Sequence, residues 1–142
     1  LEYASSIWDP GHSTLVTNVE AVQNRGVRFI YSNYHRTASV SSMKTSLSLP
    51  LLSLRRKISR LRLFYKIYYF NASLKDKLFL NPAYISSRID HRFKVGIPHC
   101  ETSAYNDSFI PRTSSEWNHL QASLAAIPSL DLFKETLTNH FC

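Results

Sequence analysis

The sequence predicts a mainly α fold, a small helical domain with a short extended or β-hairpin segment near residues 85–98. Three observations carry this. Apolar residues recur at spacings of three and four along several long stretches. Only 3 Gly and 6 Pro occur among 142 residues, too few for a collagen-like or low-complexity chain. The helical period gives way to alternation in "SSRIDHRFKVGIPH", which contains Gly96 and Pro98. At 44% hydrophobic and 19% charged, the chain can close over one packed core.

In chain order, "HSTLVTNVEAVQNRGVRFIYSNY" reads as a helix capped by Ser13, with Leu15, Val19, Val22, Gly26 and Phe29 on one face and Ile30 beside it. Glycine in a helix interior costs roughly 1 kcal/mol against alanine, so close packing at Gly26 is the expected compensation. "ASVSSMKTSL" predicts a short helix capped near Ser39 and stopped before Pro50. A central helix starts after Pro50, a good first-turn residue, and ends at the Asn71-Ala72-Ser73 break. "SLKDKLF" gives one or two turns. Residues 81–107 read as an extended arm or hairpin. "RTSSEWNHL" predicts a short helix capped by Ser114 or Ser115 and carrying Trp117 and Leu120. Pro128-Ser129 opens a last helix with Leu130, Phe133 and Leu137 on one face, ending near Phe141. Trp8, Leu61, Phe64, Trp117 and Phe133 are the expected core. The chain divides into a basic helical region, 1–80, and a C-terminal extension, 81–142.

The central helix poses the functional question. "RRKISRLRLFYKIYYF", residues 55–70, holds six cations. Leu54, Ile58, Leu61, Tyr65 and Tyr68 form an apolar stripe at spacings 4, 3, 4 and 3, with Arg55, Arg62 and Lys66 beside it and Arg56 and Arg60 as a second pair. Its start is expected to be wet and its end nearly enclosed. From Ala21 to Lys75 there are eleven Lys and Arg and no Asp or Glu, while the rest of the chain carries six cations and ten acids; +11 and −4 make the net +7. A solvated face ordinarily mixes signs. This segregation points to a polyanion, most simply a nucleic-acid backbone met by Arg25, Arg28, Arg55, Arg56, Arg62 and Lys66. The competing expectation is that distant acids fold back onto these cations.

Other chemistry finds little footing. The ten acids are scattered, with no adjacent aspartates to hold catalytic metals. Three glycines cannot build a phosphate loop. His91, His99, Cys100 and Cys142 lack the paired spacing of a zinc site, and two cysteines make no disulfide framework. No catalytic residue, metal, cofactor or small-molecule substrate is expected. No apolar run approaches the roughly 20 residues of a membrane span, and no signal peptide is visible, so an intracellular chain, nuclear or cytoplasmic, is expected. The first residue is Leu and Met43 is the sole methionine, which points to a piece of something longer.

The ordered blocks "LEYASSIWDP", "LVTNVEAVQNRGVRFI", "YHRTASVSSM", "SLPLLSLRRKISRLRLFYKI", "SSRIDHRFKVGIP" and "SFIPRTSSEWNHL" resemble the C-terminal region of reverse transcriptases from non-LTR (LINE) retrotransposons, especially the Jockey-like elements of ticks and other invertebrates. The likeness runs from Leu1 to about Leu137. Gly26 stands where that family commonly has Ala, and Asn24 where it often has Arg.

The resemblance implies a fragment of an RNA-directed DNA polymerase whose metal-binding aspartates lie in an upstream palm. None of that motif is here, so no catalytic residue transfers and the chain alone is expected to be no enzyme. Residues 1–80 then correspond to thumb-like helices that grip template and primer. The implied partners are an RNA or DNA backbone and the upstream polymerase domain of the same polyprotein. Two alternatives stay open: a protein-interaction or membrane-surface helical module, and a decayed, non-functional transposon fragment.

Overall fold

The computed structural model describes residues 2–141. Among them are nine helices: α1 (Ser5–Trp8), α2 (Ser13–Ile30), α3 (Val40–Ser46), α4 (Leu52–Phe70), α5 (Ala72–Leu78), α6 (Ser103–Asn106), α7 (Phe109–Asn118), α8 (Ala122–Ala125) and α9 (Leu130–Phe141). The fold is mainly α, without a sheet among the described residues. α4 is its axis, packed by α1, α2, α5, α7 and α9.

The core gathers around the second half of α4. Leu61, Phe64 and Tyr65 pack with Val95, Trp117, Leu120, Leu124, Ala125, Phe133 and Leu137. Tyr65 stacks on Phe133 at 4.3 Å between ring centroids, and Phe64 lies 5.2 Å from Trp117. The buried phenol of Tyr65 donates to the Ile127 carbonyl at 2.7 Å, so a polar tip inside the core is satisfied. Four of the five expected core residues are fully enclosed. Trp8 is the exception, 44% exposed. One side of its ring lies against the Arg56 guanidinium, 4.3 Å from the centroid, and its indole N–H donates to the Tyr3 carbonyl.

Several helix ends follow local chemistry. The Ser39 hydroxyl accepts from the Ser42 amide and caps α3. Asn71 ends α4, and its side chain accepts from the Leu74 amide to start α5. α9 runs from Leu130 to Phe141 with Phe133 and Leu137 inward, as its spacing predicts.

Other expectations are corrected. α7 begins at Phe109 behind Ser108, not at Ser114 or Ser115; Ser114 lies buried within it. Pro111, near its start, lacks the N–H that a first turn leaves free anyway. α2 buries Gln23 and Val27, with Val16 and Glu20 partly covered, and leaves Leu15, Val22, Phe29 and Ile30 exposed. Polar register turns it: Glu20 and Gln23 have partners at the start of α4, which outweighs the apolar stripe. Nothing lies within 4 Å of a Cβ placed on Gly26, so no close packing compensates that glycine.

Residues 81–102 form an irregular, turn-containing arm rather than a regular hairpin; it doubles back through one isolated antiparallel bridge, Leu80 to Gly96. Side chains of α7 hold it. The Asn118 amide accepts from the Val95 N–H and donates to the Val95 carbonyl, at 2.9 and 2.8 Å, and the Trp117 indole donates to the Phe93 carbonyl at 2.9 Å. The Val95 N–H and the Val95 and Phe93 carbonyls are thus satisfied without a neighbouring strand. Gly96 is required by close approach, since an added Cβ would meet the Asn81 carbonyl oxygen at 2.7 Å.

Candidate nucleic-acid interface

The cations of α4 divide into two sets, and acids distant in sequence make the division. Asp9 lies beneath α4, its side chain 5% exposed. Arg56 meets its Oδ1 at 3.1 Å, and Arg60 and Arg112 pair with its Oδ2. Glu116 of α7 accepts from Arg60 at 2.7 Å and lies 3.8 Å from Arg112. Three guanidiniums therefore share two carboxylates. The Arg56 and Arg60 side chains are only 2% exposed. Burial lowers the pKa of both from the ordinary arginine value; Glu2 and Glu20 oppose that shift at Arg56 and Glu116 opposes it at Arg60, and a guanidinium stays charged in a protein.

The expected face of Arg55 and Arg56 is therefore corrected: both meet acidic partners within the fold. Arg55 pairs with Glu2 at 3.1 Å and donates to the Gln23 side-chain amide oxygen, Oε1, at 2.5 Å. Arg56 is sealed between Asp9 and Trp8. The start of α4 is covered by α1 and α2 rather than wet, and at the other end, beyond the core, Phe70 is 66% exposed. Glu20, just before the acid-free stretch, takes Lys44 and accepts from the Leu52 amide at 2.9 Å. In that position it satisfies one of the free N–H groups at the start of α4.

Arg28 has a structural task. Its guanidinium donates to the carbonyls of His35 and Ala38, at 3.0 and 3.5 Å, and fixes the loop after α2.

Arg25, Arg62 and Lys66 stand apart. Among the described residues none of the three has a carboxylate within ion-pair distance. Arg25 is exposed on α2, and Lys66 on α4. Arg62 is half-buried, and its Nε–H is shielded from solvent with no hydrogen-bond partner among the described residues. Ser59, Arg62, Leu63 and Lys66 line a shallow hollow of about 220 Å³. Arg62 and Lys66 are one turn apart, so both cations can meet a single phosphate or neighbouring ones.

Sequence reasoning overlooked Asp9, Arg60, Arg112 and Glu116 as one network. Only the Arg112–Glu116 spacing, i and i+4, was readable locally. Asp9 and Arg56 are 47 positions apart, which no periodicity encodes.

Among the described residues no group of three or more His, Cys, Asp or Glu gathers as a metal site; Cys142 lies outside them. No helix among them is long and apolar enough to cross a membrane. Comparison with protein-family models, curated proteins and solved structures finds no match.

Proposed function

We propose that this chain is the noncatalytic C-terminal part of a non-LTR retrotransposon reverse transcriptase, and that it holds template or primer through the phosphate backbone. One observation supports this most. After the fold has matched acids to Arg55, Arg56, Arg60, Arg112 and Lys44, the cations Arg62 and Lys66 have no carboxylate partner among the described residues and stand beside an open hollow on α4. The ordered sequence blocks supply the family. The partner domain is the upstream polymerase of the same polyprotein, and the setting is nuclear or cytoplasmic.

Salt titration tests the reading. Phosphate contacts release counterions, so log affinity falls against log salt by about 0.7 to 0.9 per phosphate neutralised. A second reading, a protein-interaction or membrane-surface module, draws on the apolar hollow of about 440 Å³ beside Lys66, lined by Leu63, Ile67, Phe70, Leu74 and Leu130. Binding to anionic vesicles without binding to RNA or DNA favours that second reading and overturns the first.

A further inference from the structure

We infer that the C-terminal end of α2 and the loop after it form a stacking platform for the unpaired bases of single-stranded nucleic acid. The inference rests on the proposed nucleic-acid binding and adds a second contact, made to bases rather than phosphates.

Three large rings stand in solvent within six positions: Phe29 at 74%, Tyr31 at 42% and Tyr34 at 66% exposure. Aromatic side chains ordinarily dominate cores, so such a concentration marks a contact surface. Cations interleave with the rings. Arg25 is exposed on the same side of α2 as Phe29, at i and i+4, and Arg36 is exposed two positions after Tyr34. No acid lies between Ala21 and Lys75, and Glu20 is engaged by Lys44. Among the described residues no carboxylate pairs with Arg25 or Arg36, so the patch joins exposed rings to unpaired cations. A protein-binding surface of this size typically loses charge toward its centre. A single strand presents what this patch matches, phosphates for the guanidiniums and a π-face on every base for the rings. In a duplex those faces are already stacked on one another.

The loop is held in one shape. Arg28 ties the carbonyls of His35 and Ala38 back to α2. The Asn33 amide donates to the Arg28 carbonyl at 3.0 Å, and the Asn33 side chain accepts from the His35 amide at 3.2 Å. Ser32 makes the turn in the left-handed region, with φ at 48°. Rings carried on a fixed loop lose less freedom when a base docks.

Fluorescence anisotropy tests this with a labelled unstructured RNA of about 12 nucleotides, within the usual range of such sites, and a hairpin duplex of matching sequence. Phe29→Ala and Tyr34→Ala should each weaken single-strand binding about five- to hundredfold, the usual range for losing one base–aromatic stack. Their duplex affinity and salt slope should stay at the parent's values. Phe29→Leu keeps an apolar side chain without a π-face and should behave like Phe29→Ala, whereas Tyr34→Phe should bind like the parent. Circular dichroism confirms that each variant keeps its helices. Unchanged single-strand affinity in the Ala variants overturns the platform while leaving backbone binding intact. So does an equal loss on duplex, or a loss confined to self-association or vesicle binding. A parent chain that binds no nucleic acid overturns the proposed function, and the platform with it.

Discussion

The Asp9 carboxylate accepts a 3.1 Å hydrogen bond from Arg56, 47 positions along the chain, with Arg60 and Arg112 on its other oxygen. Removing Asp9 leaves buried guanidiniums with one fewer counter-charge. Asp9→Ala should cost about 3–5 kcal/mol, the usual range when one partner of a buried pair is lost. Urea unfolding at fixed salt measures it. A cost below about 1 kcal/mol, ordinary for an exposed pair, would mean that water reaches the network.

Arg62 should behave in the opposite way. Arg62→Ala should cost no more than about 1 kcal/mol, because its guanidinium has no carboxylate partner among the described residues to lose. On RNA it should lower affinity evenly across sequences and reduce the salt slope by roughly one. If Arg62→Ala instead unfolds the chain and leaves affinity per folded molecule unchanged, Arg62 is a structural residue.

The core makes a third prediction. Leu61→Ala and Phe64→Ala should each cost about 2–5 kcal/mol, because both side chains are fully enclosed. Iodide should quench the 44% exposed Trp8 and spare the buried Trp117. Trp8→Phe isolates Trp117, and strong quenching in that variant would contradict its place under α4.

Tyr69 sets an alkaline boundary. Its phenol donates to the Ala125 carbonyl at 2.6 Å, and burial, helped by Tyr68 and Tyr65, pushes its pKa up to about 12. The folded value thus exceeds the usual tyrosine value near 10. The stabilisation is fully present below about pH 10 and is lost as pH rises through the folded pKa. Absorbance titration of the parent against Tyr69→Phe should show the missing phenolate step near pH 12; a step near 10 would show the phenol to be free in solvent.

The purified chain should not extend a primer on an RNA template, since among the described residues no group of three or more His, Cys, Asp or Glu gathers to hold two metals. Template-dependent nucleotide incorporation by this chain alone would refute the proposed noncatalytic role.

By itself the sequence determined what is local. Helical spacing placed α4 and α9, Ser39 marked the start of α3 and Asn71 the end of α4, and Leu61, Phe64, Trp117 and Phe133 were legible as core because large apolar groups at helical spacing have few other places to go. The acid-free stretch from Ala21 to Lys75 was also plain. Tertiary structure alone decided which of its cations reach solvent. An arginine at 56 and one at 62 look alike along the chain, yet Asp9 and Trp8 seal the first and nothing among the described residues pairs with the second. The same holds for α2, whose apolar stripe Leu15, Val22 and Phe29 gave way to a face carrying Glu20, Gln23 and Val27. A buried polar group must find a partner, and where that partner lies is a property of the folded chain rather than of its period.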